Sequence, residues 1–263
     1  MKIAGFDARD RQMFGSLLAM IVRDRFLGSQ LGRVWVILSP AIMLAIFSFV
    51  FTVVFPQRLP GASQSTTYLI WLISGYGPWL ALGEGLASGA AAVIGASGII
   101  KNVAFKSELL PLAATLMGLI PLTVAFVFLL VLVAIGGGAI NIYWLYLPFV
   151  ALIQFVLVSG LALYLGATTV FVRDTMMILP NLLLMILFLS PIFFPITSFP
   201  PLGQTISYFN PVFVLADSYR QPIINGSPPN LLRLCYLVIV ALIVFLSGLR
   251  YFRRLKPYFA SRL

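Results

Sequence analysis

The side chains able to carry chemistry are few and unevenly placed. Seven carboxylates occur, Asp7, Asp10, Asp24, Glu84, Glu108, Asp174 and Asp217, beside one thiol, Cys235, and no histidine. That inventory supplies no Cys/His nucleophile, no His/Cys metal cluster and no disulfide, so no catalytic residue and no metal site is assigned. The phosphate-cradling GxxxxGK[ST] loop is absent as well, which removes nucleotide hydrolysis by the usual P-loop means. Guanidinium is what the chain does supply: Arg23, Arg25 and Arg33 stand immediately before an unbroken apolar run. Arginine suits bidentate capture of phosphate, and the competing reading of the cluster is a plain basic flank that sets topology. Glu84 is the one acid well inside an apolar stretch, which makes it a functional candidate, with a structurally hydrogen-bonded Glu as the alternative. One such carboxylate without histidine is a poor supply for a proton relay.

The elements that must position these residues are long apolar runs. Of 263 residues, 61% are hydrophobic and 9% charged, far from the composition of soluble domains. A hydrocarbon core of about 30 Å needs roughly 20 apolar residues per helix, and six runs qualify, at roughly 34–55, 67–93, 111–135, 145–172, 176–194 and 231–250. None alternates as barrel strands do. The expected fold is an all-α membrane protein of six transmembrane helices in one domain: 1–33 a cytoplasmic interface segment, 34–250 the bundle, 251–263 a cytoplasmic tail.

Orientation follows from the basic residues. Fourteen of the seventeen Lys and Arg fall on one side of this topology, leaving Arg58, Arg220 and Arg233 for the other, so both termini are expected in the cytoplasm. The net charge of +10 is then explained by topology and anionic lipid headgroups, and nucleic acid is not expected as a partner. The N-terminus lacks the pattern of a cleavable signal peptide. Met13, Phe14, Leu17, Met20, Ile21 and Leu27 roughly follow helical spacing, with Arg9, Arg11, Arg23 and Arg25 able to reach headgroups, as in an amphipathic helix lying along the membrane surface. Gly28 and Gly32 offer a bend into the first span, and Trp35 falls near an aromatic belt.

Three further stretches stand out. In the second run Gly85 and Gly89 form a small-xxx-small pair that predicts close helix packing, and Gly75-Tyr76-Gly77-Pro78 predicts a break or kink. The loop Ala96 to Pro111 sets Lys101, Lys106 and Glu108 around Val103 and Phe105, the mixture of an apolar knob with charges that a docking loop needs, or else a solvated loop with topogenic lysines. From Phe193 to about Asn230 prolines recur, predicting short re-entrant helices that dip into the outer leaflet and return. The aromatics there, including Phe193, Phe194 and Tyr208, are belt anchors or, with Tyr76 and Trp79 at the same depth, line an exit passage.

The succession "RFLGSQLGRVWVILSP", "IIKNVAFKSELLP", "SPIFFPITSFP" and "FNPV" resembles the membrane subunit of polysaccharide-exporting ABC-2 transporters, those for O-antigen and related lipid-linked polymers. The likeness spans nearly the whole chain. It rests on Arg25-Phe26 with Ser29, Leu31-Gly32, Trp35 and Pro40, on Val103, Phe105 and Leu109 to Pro111, and on Ser190-Pro191, Pro195 and Asn210-Pro211. Phe26 stands where the family commonly has Tyr, and Ala104 where it commonly has Pro. The resemblance implies an inner-membrane homodimer, each subunit docked on a separate nucleotide-binding ATPase that carries ATP and Mg, with the polymer path along the dimer seam. It implies roles too: Arg23, Arg25 and Arg33 at a gate for a lipid pyrophosphate, Lys101, Val103, Phe105, Lys106 and Glu108 in ATPase coupling, and Arg173-Asp174 as a weaker second contact. Tyr76, Trp79, Glu84, Phe193, Phe194 and Tyr208 would then lie along the translocation path, some stacking on sugar faces. The runner-up is a small-molecule ABC-2 exporter with a closed apolar pocket. A channel or secondary carrier would need an ion site for which only Glu84 is on offer.

Overall fold

The computed structural model describes residues 8–24, 32, 34–54, 65–102, 105–136 and 140–262. Arg25, Arg33 and Val103 of the expected sites, with Gly28 and Leu27, lie outside the described residues. Every regular element among those described is helical. In chain order they are α1 (Ala8–Asp24), α2 (Val34–Phe49), α3 (Ser65–Gly95), α4 (Ser97–Asn102), α5 (Leu109–Thr115), α6 (Leu119–Ile135), α7 (Leu147–Phe171), α8 (Thr175–Leu189), α9 (Pro201–Tyr208), α10 (Pro211–Arg220) and α11 (Leu231–Leu255). Side chains start several of them: Asn210 accepts from Val212 N with Pro211 at the first position of α10, and Asn230 accepts from Arg233 N at the start of α11.

Four segments are long and apolar enough to cross a membrane by length and composition: Val34–Val54, Leu109–Ile135, Ile142–Phe171 and Leu231–Phe259. The sequence reading expects six, and α3 and α8 are the two that fall short. In α3, the longest helix at 31 residues, glycines, serines and Glu84 dilute the apolar character. It tolerates them because other helices cover it: every residue from Trp71 to Trp79 is buried. The fifth expected run ends at Leu189 instead of near 194, leaving α8 with 15 residues, because Ser190 to Phe193 turn out of the helix. The proline-rich stretch does form short helices, α9 and α10.

The core is built on α3, which packs against α5, α6, α7, α8 and α10, while α7 also packs against α11. Gly85 and Gly89 find their partner in α7: a Cβ on Gly85 would lie 2.8 Å from Val158 Cγ1, and one on Gly89 would strike the Ala162 methyl. Of the break or kink expected at Pro78, no break occurs, since α3 continues through it, and the Pro78 carbonyl accepts from Gln154 Nε2 at 2.8 Å. Conversely, α2 and α8 turn large apolar side chains outward, among them Ile37, Ile46, Phe49, Met177, Met185 and Phe188. Lipid or another membrane-embedded protein is what such faces can accept.

The tightest joint is α7 with α11. A Cβ on Gly160 would sit 2.6 Å from Phe245 N, and one on Gly248 would collide with the Gly160 carbonyl oxygen, so the two backbones touch. Gly160→Leu or Gly248→Leu is expected to destabilise by about 1–3 kcal/mol or more through overpacking, read as a lower Tm of purified protein. Gly95→Ala, whose Cβ would meet nothing within 4 Å, is the matched control and should leave Tm near that of the parent.

Candidate functional site

At the end of the bundle where α8 closes, four successive residues are held by side chains from elsewhere. Ser190 Oγ accepts from Asn210 Nδ2 at 2.8 Å. The Pro191 and Ile192 carbonyls accept from Arg220 Nη1 and Nη2 at 2.8 and 2.7 Å, and the Phe193 carbonyl accepts from the Tyr68 hydroxyl at 2.8 Å. Arg220 also donates from Nε to the Trp71 carbonyl at 3.3 Å and lies over the Trp71 ring, 3.8 Å from its centroid. A guanidinium cannot shed its proton, so its burial requires acceptors, and carbonyls freed where a helix ends supply them. Gly75 makes the room, for a Cβ there would lie 2.9 Å from Arg220 Cζ. Below this socket Tyr219 donates to Gln154 Oε1 at 2.9 Å, which joins α10 to α7 and, through Gln154, to α3.

An aromatic cluster surrounds the socket. Phe193 stacks on Phe47 at 5.1 Å between centroids and contacts Phe51, Tyr76 and Phe188. Tyr76 and Phe193 are therefore buried packing residues in this conformation, whereas Phe194 and Tyr208 are exposed. Tyr208 packs edge-on against Phe213 and carries the Arg233 guanidinium over its face at 4.5 Å, while Arg233 also pairs with Asp217 at 2.9 Å.

Midway along the bundle α2, α3, α6 and α8 border an open cavity of about 500 Å³, lined among others by Trp35, Ser39, Met43, Trp79, Glu84 and Leu183. Here two predicted residues, Trp79 and Glu84, do come together, with Trp35 of the first span opposite. Glu84 is half-buried and accepts from Ser88 Oγ at 2.7 Å.

The third zone is the loop between α4 and α5. Leu17 of α1 is buried against Ala96, Leu109, Leu110 and Ala113, and Met13, Phe14, Leu18, Met20, Ile21 and Phe105 pack around them. The apolar face expected to rest on lipid thus meets α5 and the loop. Arg23 is exposed at the end of α1, and Gly32 before α2 has φ +44°, the left-handed bend expected there. Lys101 is exposed at the end of α4, Phe105 and Lys106 are half-buried, and Glu108 is buried. Glu108 Oε1 accepts from Arg253 Nε at 3.2 Å and Oε2 from Lys256 Nζ at 2.9 Å, so its carboxylate faces α11. Burial works against ionisation here, but the bond to its own backbone amide and the two cations outweigh it and hold the Glu108 pKa below the ordinary carboxylate value.

Sequence reasoning missed Arg220, Tyr68, Gln154 and the Arg253/Lys256 clamp. Arg220 carried a signal: it lies seven residues after Phe213 and four after Ala216, on the apolar face of an amphipathic helix. Counted with Arg58 and Arg233 on the side away from the other cations, Arg220 is buried inside the bundle and does not stand on its surface.

A bundle with several membrane-length apolar helices, pinned at one end by the turn after α8 and at the other by the loop before α5, defines a multi-pass membrane protein. The chain belongs to the ABC-2 type transporter family, whose profile matches residues 13–224. It is 25% identical over 255 residues to the O-antigen export system permease protein RfbA of Myxococcus xanthus, covering 95% of this chain and 96% of that one. To the protein of the same name from Klebsiella pneumoniae it is 26% identical over 259 residues, 95% of each. It is 22% identical over 254 residues to the polysialic acid transport protein KpsM of Escherichia coli, 96% of each.

Arg220→Lys loses the planar fork that reaches three carbonyls and is expected to cost about 2 kcal/mol or more, visible as a lowered Tm followed by tryptophan fluorescence. An unchanged Tm would mean the socket bears no load. For Glu108, whose folded pKa is lowered, the stabilisation is present above the unfolded carboxylate pKa and is lost as pH falls through the lowered folded value. Glu108→Gln should therefore be less stable than the parent at neutral pH, with the two converging only on acidification below the ordinary carboxylate range, as thermal scans across pH would read.

Proposed function

We propose that this chain is the transmembrane subunit of an ATP-driven exporter that moves a lipid-linked, O-antigen-like polysaccharide across the bacterial inner membrane. Two copies of the permease form the path, and each docks a separate nucleotide-binding subunit that brings ATP and Mg. The observation that carries the reading is α1 seated on the loop before α5. The arginine-bearing helix and the loop, which this reading turns toward the cytosol, share one apolar core, and that contact supports a coupling between them. The substrate class is supported by the names of the relatives, two O-antigen export permeases and a polysialic acid transport protein matched along almost their full lengths.

In this reading all six runs span, with α3 and α8 as the short or diluted members, both termini lie in the cytoplasm, and α9 and α10 re-enter the outer leaflet. Arg23, with Arg25 and Arg33, receives the pyrophosphate of the lipid carrier, where a bidentate guanidinium is strongest. The outward apolar faces of α2 and α8 adjoin the dimer seam, and the cavity with Trp35, Trp79 and Glu84 opens beside it. Lys101 and Phe105 face the ATPase, and Phe194 and Tyr208 offer exposed rings at the outer end.

The test is co-expression with the ATP-hydrolysing subunit, followed by co-purification and an assay of surface polysaccharide. A stable complex is expected. Arg23→Gln with Arg25→Gln should lower export about tenfold or more, the loss of one or two charge-assisted contacts, while membrane insertion is retained. Unchanged export in a correctly inserted double variant would refute the gate.

A further inference from the structure

We propose that Glu108 is a positioning residue that locks the inner-face loop to the cytoplasmic end of α11, so that the loop, α1 and α11 move together when the loop is pushed. This rests on the exporter reading above. A group meant to contact a separate subunit would be expected at the surface, yet the Glu108 side chain is only 5% exposed. Both of its oxygens are committed inward, one to Arg253 and one to Lys256, while those two cations remain a third or more exposed. The burial is therefore one-sided: the acid is fixed and water reaches the bridge from the side of α11.

The far side of that bridge is itself anchored. Past Leu255 the chain turns into a 3₁₀ segment, Lys256–Ser261, and Phe259 folds back edge-on against Phe252 with centroids 5.2 Å apart, both rings fully buried. Phe252 and Phe259 share their cluster with Val93 of α3 and Leu163 of α7. The cations that grip Glu108 thus issue from a segment packed on the two central helices. On its other side the loop leans on α1 through Leu109 and Leu110 against Leu17. An apolar contact slides readily, whereas a two-point ionic grip fixes register. Glu108 accordingly sets where the loop sits, and the α11 end becomes part of the transmission element even though it lies about 145 residues further along the chain.

The experiment uses the permease with its ATPase subunit in lipid nanodiscs and reads export per ATP hydrolysed. Glu108→Gln, Arg253→Gln and Lys256→Gln are compared with the exchanged pair Glu108→Lys, Lys256→Glu. Each single variant should lower the ratio of export to hydrolysis about fivefold or more, the scale of an ordinary coupling free energy, with hydrolysis persisting, and the exchanged pair should recover most of it. A merely structural role would lower yield and stability while leaving the ratio in the assembled fraction at the parental value, and that result overturns the proposal. If Glu108→Gln yields no complex, the partners decide: parental ratios in both Arg253→Gln and Lys256→Gln also overturn it. Failure of the parent protein to bind the ATPase or to export at all would instead count against the exporter reading, leaving the two failures distinguishable.

Discussion

A buried guanidinium without its own carboxylate has to be satisfied by other oxygen acceptors. Arg220 meets that demand with two carbonyls from the turn after α8, Pro191 and Ile192, and a third, that of Trp71, within α3. The consequence runs both ways. The cation requires the turn to stay out of helical register, and the turn, which would otherwise expose carbonyls in an apolar setting, requires the cation. Tyr68 and Asn210 complete the set at Phe193 and Ser190, so α3, α8 and α10 share a single fixed junction at this end. Phe47 of α2 bears on the same junction by stacking on Phe193, while the rest of α2 packs on α6 and α3.

The opposite end is organised by a different mixture of forces. There the loop between α4 and α5 is wedged between an amphipathic helix and a charged tail, with apolar packing on one flank and ion pairing on the other. Between the two ends stand contacts made by glycine: Gly85 and Gly89 against α7, and Gly160 against Gly248. Without a hydrophobic drive between helices in lipid, such backbone approach and the dispersion it allows are what hold a bundle together. These contacts pass displacement along helix axes with little slack.

Much of this architecture could be read from the chain, because periodicity and apolar run length are local properties. The helices, the face of α1, the bend at Gly32 and the tight packing at Gly85 and Gly89 all follow from neighbours within a turn or two. Ser190-Pro191 and Asn210-Pro211 were visible as motif pieces, but why they occur together was not, since Asn210 both caps α10 and donates to Ser190 across 20 residues. Arg220 looked like a loop cation because its acceptors are main-chain atoms, which carry no residue signature. Glu108 looked like a docking residue because its two partners lie beyond every intervening span. The uninterrupted course of α3 through Pro78 was hidden for a similar reason, as helix breaking is a local preference and tertiary packing overrode it.

The Gly160–Gly248 joint has an implication for how the molecule is made. The surface of α7 that receives α11 can be covered only after α11 has been synthesised, long after α7 itself has left the ribosome. Until then the surface around Gly160, shaped for another backbone, is without its partner. The close α7–α11 contact can therefore form only once α11 has arrived.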